Sequence, residues 1–196
     1  MIAHLVFNPQ LLRDVSKETA AAFNADGTLD PKHTYKSCPQ LNAVWLEALR
    51  MSAASTVLRT ITSDTVIGGK VLRKGNQLLI SARQLHFQSD VFGPRTNGFD
   101  HTRFLEKPEL EGNAAFRPFG GGVTKCPGRN LAKYVALNLV VLVFHHFEVT
   151  ADPDQQFPAY RERKPAIGIV SGEGDLRVRV RPRVKFSGNF LYSGMP

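Results

Sequence analysis

FRPFGGGVTKCPGRNLAK, Phe116–Lys133, spends three consecutive glycines and a Pro–Gly pair around one cysteine before turning into an apolar run. The glycines at 120 to 122 allow a tight backbone path that side chains would block. Cys126 stands just ahead of a helix start, where free N–H groups and the helix dipole suit an anionic sulfur. Gly128 leaves room for a flat group to approach the backbone. The pattern suits a thiolate offered as a ligand to a bulky planar cofactor. A buried structural cysteine is the plain alternative. Phosphate binding fails on spacing, since no Gly-Lys-Ser/Thr closes the loop and the G-x-G-x-x-G pattern breaks at Lys125. A zinc site would need a second nearby cysteine or a spaced histidine pair. Cys38 is remote in sequence, and His145 and His146 are adjacent, so they point to different faces.

Working outward, the following segment, Arg129 to about Phe147, reads as a long helix that is apolar nearly all round and therefore central and buried. Toward the N-terminus, SCPQLNAVWLEALRM (Ser37–Met51) places Leu41, Val44, Trp45, Ala48 and Leu49 at helical spacing. Ser37 and Gln40 have capping-box spacing, with Pro39 in the first turn. Asn8–Pro9 and Asp30–Pro31 each pair a capping residue with proline at the first helical position. The first of these opens a helix with a stripe of Leu11, Leu12, Val15 and Phe23. From Thr56 to Phe87, short apolar stretches broken by Gly68–Gly69 and Lys74–Gly75–Asn76 read as strands and turns. Val91 to Leu110 reads as loop. DLRVRVRPRVK alternates strictly, with Arg177, Arg179, Arg181, Arg183 and Lys185 on one face and Val178, Val180 and Val184 on the other. Pro182 marks an edge strand. The fold class is mainly α with small β-sheets, α+β.

The 196 residues are 42% hydrophobic and 21% charged, enough for one sizeable core. Leu139–Phe144, the longest apolar run near the C-terminus, is too short to span a bilayer, so the reading contains no membrane segment. No secretory signal is readable at the start. Two cysteines do not make a disulfide scaffold, which favours a reducing compartment. A net charge of +8 favours an acidic partner. The arginine ladder carries no interleaved aromatic platform, so it reads as a solvated strand face and no nucleic-acid partner is expected.

Phe119-x-x-Gly122-x-x-x-Cys126-x-Gly128 resembles the haem-binding signature of the cytochrome P450 family. There the cysteine thiolate is the axial ligand of the haem iron and pushes electron density that favours O–O cleavage. Glu47-x-x-Arg50 is similar to the family's ExxR pair. Alone, such a helical pair contributes only about 0.2–0.5 kcal/mol. In the family it joins an arginine downstream, and FDHTRF (Phe99–Phe104) supplies Arg103 there, although His101 and Thr102 replace the family's proline and glutamate. Glu47, Arg50 and Arg103 would then form a buried structural clamp behind the cysteine loop.

The same resemblance implies that the 196 residues form a single incomplete domain: the C-terminal part of the cytochrome P450 fold from about helix J to the end. The membrane anchor and the distal, oxygen-activating helix are expected to be missing. It implies haem b as cofactor, with Phe119 packing against it. Arg59 and His86 would lie near its propionates; the alternatives are a surface arginine and an ordinary loop histidine. The family's basic residue two positions before the cysteine is replaced by Thr124, so one charged contact is missing. Ala53–Val57 and the Ile167–Gly172 stretch resemble substrate-contacting segments. Lys125 and Arg129 would face an acidic redox partner. The implied activity is a monooxygenase that inserts one oxygen atom into a lipophilic substrate, fed by NADPH–cytochrome P450 reductase; the parent would sit on the endoplasmic reticulum membrane, facing the cytoplasm. The alternative is a truncated chain, catalytically incompetent, that binds haem at most. The general look is similar to fungal members and to the branch of sterol 7α-hydroxylases and prostacyclin synthase.

Overall fold

The structure is a computed structural model, and residues 1–160 and 168–183 are described. Val184 and Lys185, from the alternating segment, and Ile167, from the stretch ending at Gly172, lie outside the described residues.

Local capping sets the first helices. After α1 (Ile2–Val6), helix α2 (Pro9–Thr19) starts with the Asn8 side chain accepting the Leu11 N–H at 3.1 Å. Helix α3 (Pro31–Lys36) starts in the same way, with the Asp30 carboxylate accepting the Lys32 N–H at 2.9 Å. Both match their Asx-Pro reading. Helix α2 ends at Thr19, so Phe23 lies beyond it rather than on its stripe.

Helix α4 (Pro39–Ser52) forms where its apolar spacing places it, but the Ser37–Gln40 capping box does not form. Its N-terminal donors go to Glu18 on α2: one carboxylate oxygen accepts Gln40 N–H at 2.8 Å and the other accepts Leu41 N–H at 2.9 Å. An anionic side chain satisfies two orphan donors at the positive end of the helix better than a serine hydroxyl would.

Strand β1 (Thr56–Thr60) pairs antiparallel with β4 (Gln77–Ser81), and the hairpin of β2 (Thr65–Ile67) and β3 (Lys70–Leu72) lies between them in sequence. The strand reading stops at Ser81, because its side chain caps a short helix, α5 (Ala82–His86). The stretch read as loop carries two short helices, α6 (Ser89–Phe92) and α7 (Thr102–Glu106), then a 3-10 turn at Pro108–Gly112. Burial of Phe92, Phe104 and Leu110 holds these turns in place despite weak local signals.

Helix α8 (Arg129–His146) runs out of the cysteine loop into β5 (Phe147–Ala151), which pairs antiparallel with β6 (Val178–Pro182). It is not buried all round. Leu137, Val140, Val141 and Phe144 are buried, while Leu131 (67% exposed), Val135 and Leu139 face outward. The arginines in and just after β6 are solvated or used locally: Arg179 pairs with Asp152 at 3.0 Å, and Arg183 Nε donates to the carbonyls of Phe144 and Phe147 at the end of α8.

Two apolar clusters meet at α4. Leu41 and Val44 pack with Leu5, Leu11, Leu137, Val140 and Phe144. Ala43, Leu46 and Leu49 pack with Phe92, Phe104, Leu110 and Phe116, and Trp45 touches both clusters.

Candidate haem-thiolate site

The cysteine loop joins the two clusters. Phe116 is anchored in the second, and α8 carries the chain into the first. Between them the backbone turns through Gly120 at φ 73° and Gly122 at φ 64°, a region that L side chains avoid. Gly121 serves differently: a Cβ there would meet Arg117 Nη1 at 2.7 Å. The Cys126 N–H donates to the Phe119 carbonyl at 3.0 Å, closing the loop and setting the sulfur two residues ahead of the Gly128 cap of α8. Gly128 has an ordinary φ of −78°, so its conformation does not require glycine. An added Cβ there would make only ordinary contact, 3.8 Å from Cys126 Sγ. Cys126 is half-buried and free, whereas Cys38 is buried, and burial pushes its thiol up to about 11.

A cavity of about 350 Å³ opens beside the loop. Val57, Ile80, Leu85 and the glycines line it, with Arg59 and Arg117 among the same walls. Arg59 is exposed and donates to the Thr124 hydroxyl and, at 2.9 Å, to the Leu58 carbonyl. The arginine and the threonine that occupies the expected basic position are therefore neighbours. Phe119 is half-buried and packs against the second cluster, 6.4 Å from the Trp45 ring.

His86 lies elsewhere than at the edge of this cavity. It is 0% exposed, and its Nε2 accepts the Arg117 backbone N–H at 2.8 Å. Burial, outweighing a hydrogen bond near Arg50 that acts the other way, lowers its pKa to about 4 and keeps the ring neutral. A fully buried, neutral acceptor braces the loop from behind and does not present a cation to a carboxylate.

The three clamp residues come together. Arg50 Nε and Nη2 donate to the two oxygens of Glu47 at 2.8 and 2.7 Å, with both side chains fully buried. Arg103 Nε is 3.5 Å from Glu47 Oε2. Arg50 also donates to the carbonyls of His86 at 3.0 Å and Gly98 at 3.2 Å, so the clamp reaches the histidine that braces the loop. The Asp100 N–H donates to Glu47 Oε1 at 3.0 Å, a backbone contribution that no residue pattern announces.

The two segments expected to touch substrate are neighbours. Ala53 bridges to Ile169, Ala54 N–H donates to the Gly168 carbonyl at 2.7 Å, and Val170 N–H donates to the Ser52 carbonyl at 2.7 Å. At the base of the loop, Arg129 Nη1 donates to the Cys126 carbonyl at 3.1 Å, while Lys125 is exposed. Arg117 is the residue that the sequence reading passed over. The signal for it was a cation close to a glycine loop whose expected basic position holds Thr124.

Among the described residues no group of three His, Cys, Asp or Glu side chains is placed to hold a bare metal ion, and no helix is long and apolar enough to cross a membrane. A family model described as Cytochrome P450 matches residues 1–178. The chain is 28% identical over 197 residues to a cytochrome P450 monooxygenase, nodJ, of Hypoxylon pulicicidum, covering 91% of this chain and 38% of that protein. It is 27% identical over 188 residues to a bifunctional cytochrome P450/NADPH–P450 reductase of Bacillus cereus, covering 93% of this chain and 16% of that protein. The crystal structure of a cytochrome P450DA mutant haem domain superposes with a TM-score of 0.77 at 25% identity, over 93% of this chain and 40% of that one. The chain thus spans about two fifths or less of each of these proteins.

Proposed function

The chain belongs to the cytochrome P450 family, and from that premise we propose that it forms the haem-holding part of a haem-thiolate monooxygenase. Haem is the cofactor of this family, and the residues present fit it. The carrying observation is the half-buried free thiol of Cys126, held by its N–H to Phe119 O at the end of a loop whose glycines 120 to 122 line a largely apolar cavity with two arginines in its wall. The donor chemistry matches a flat, largely apolar macrocycle with an anionic edge and an iron that takes a soft thiolate. Cys126 would supply a thiolate sulfur to the iron, Gly120–Gly122 the close backbone approach, and Arg59 a guanidinium for a propionate.

Bound haem would supply activation of dioxygen for insertion of one oxygen atom into a lipophilic substrate, with two electrons from NADPH through a reductase and two protons releasing the other atom as water. The chain's own residues hold and orient. Arg129 fixes the Cys126 carbonyl, and the clamp fixes the segment behind the loop. The Ala53–Ile169 pairing makes the two segments neighbours, which supports a shared role toward a lipophilic molecule. A reductase fused to one relative supports that kind of electron source, and exposed Lys125 offers charge to an acidic partner. A second reading is favoured by the uncovered apolar face of α8 at Leu131, Val135 and Leu139. In it, these 196 residues by themselves hold haem without turning substrate over.

The test is reconstitution with haem, reduction, and addition of carbon monoxide. Wild type gives the Soret band of thiolate-ligated haem, and Cys126→Ala loses it while still folding. Absence of haem uptake by wild type would overturn the cofactor assignment. A separate turnover assay with a reductase and a panel of lipophilic substrates divides the two readings.

A further inference from the structure

We propose that Arg117 grips a carboxylate of the bound porphyrin and so supplies the charge that Thr124 does not; this rests on the haem reading above. The cavity beside the glycine loop has apolar walls at Val57, Ile80 and Leu85, two guanidinium groups, and no carboxylate among its lining residues. Two cations facing one cavity with no internal counter-charge favour an anionic guest. They are not equally committed. Arg59 spends donors on the Leu58 carbonyl and the Thr124 hydroxyl. Arg117 spends its backbone N–H on His86 Nε2 at 2.8 Å and its Nε on the Ala114 carbonyl at 2.8 Å. Neither terminal nitrogen of Arg117 has an acceptor among the described residues. The backbone bond fixes the main chain at Arg117, the Nε bond orients the guanidinium, and its two terminal nitrogens are left unspent, an end that suits a carboxylate.

Gly121 extends the argument. A Cβ on it would fall 2.7 Å from Arg117 Nη1, so the bare glycine is what lets the guanidinium lie across the loop. The buried neutral His86 is then a positioning residue for Arg117, acting through the backbone.

The experiment titrates the full chain with hemin and with hemin dimethyl ester, whose carboxylates are masked, following the Soret absorbance. Wild type should bind the diacid at least about 10-fold more tightly than the diester, as charge-assisted pairing implies. Arg117→Gln should lose a clear part of that preference, the remainder resting on Arg59, while still folding and taking up the diester. Gly121→Ala is the second variant. It displaces the end of a flexible side chain without removing the charge, so it should fold normally and also lose preference for the diacid. Uptake of both porphyrins with a ratio that neither variant alters would overturn the arginine assignment alone. Failure of wild type to take up either porphyrin would overturn the haem reading and this assignment with it.

Discussion

Replacing Glu47 by alanine tests the clamp most directly. In wild type the carboxylate receives Arg50 through two bonds of 2.8 and 2.7 Å and the Asp100 N–H at 3.0 Å, with Arg103 3.5 Å away. Glu47 and Arg50 are both fully buried. Deleting the acid leaves buried Arg50 with carbonyl partners but no counter-charge and takes the carboxylate from beside Arg103, and breaking a buried pair in this way costs about 3–5 kcal/mol. Set against a total of about 5–15 kcal/mol for an ordinary domain, that is a large share of the folding free energy. The chain contains a single tryptophan, Trp45, two residues from Glu47 on the same helix, so urea denaturation can be followed by its fluorescence. With a slope near 2 kcal/mol per molar urea, the midpoint should fall by roughly 2 M, or the variant should fail to fold in soluble form. The exposed pair of Arg73 and Asp64, whose side chains are 75% and 55% exposed, is the internal control. Asp64→Ala should shift stability by about 1 kcal/mol or less. A Glu47→Ala protein that folds and loses no more than this control would refute the clamp reasoning.

Glu18→Ala removes two hydrogen bonds to the start of α4 and should cost about 1 kcal/mol or somewhat more, read by the same fluorescence transition. If Ser37 were the true cap, Ser37→Ala would cost more than Glu18→Ala. Gly122→Ala forces a side chain into φ 64°, so it should lose about 1 kcal/mol or more and weaken haem uptake; unchanged Soret titration and an unchanged midpoint would count against the loop reading. His86 and His4 have pKa values lowered, chiefly by burial, to about 4 and about 3. Each stays neutral in the native state while the unfolded chain takes up a proton below the usual histidine value. Stability is thus full above about pH 6.5 and falls with acidification, by on the order of 2 kcal/mol per histidine at pH 5, then levels below the folded values. Denaturation midpoints at pH 7 and pH 5 measure this. His86→Gln should flatten the profile, and a profile as steep as wild type would exclude His86 as a contributor.

What could be read from the sequence was mostly local. Asn8–Pro9 and Asp30–Pro31 open helices because the capping atom, the donor and the proline are neighbours in the chain. The cap of α4 was misread because a carboxylate 22 residues upstream competes for the same donors. Helix α8 was legible as a helix, but its composition could not say which face is covered; packing against α2 and α4 covers one side and leaves Leu131 and Val135 outside. The pairing of Glu47 with Arg50 and Arg103 was suggested by a motif. The contribution of the Asp100 backbone was hidden, since every residue but proline carries the same N–H. For His86 the resemblance suggests a place near a propionate, whereas its full burial and its bond to the Arg117 amide depend on contacts between distant segments that the sequence does not display.

Because α4 lends Leu41 and Val44 to one apolar cluster, and Ala43, Leu46 and Leu49 to the other, loss of that helix from either cluster strips packing from both. The clamp rides on the same helix, which ties the cysteine loop into that shared fate. A group captured beside Cys126 should then slow hydrogen exchange not only in the loop but also in α2, on the opposite side of the beam, by the same mass-action increment. The molecule would report occupancy of its loop at a distance, through cooperativity alone and with no moving part.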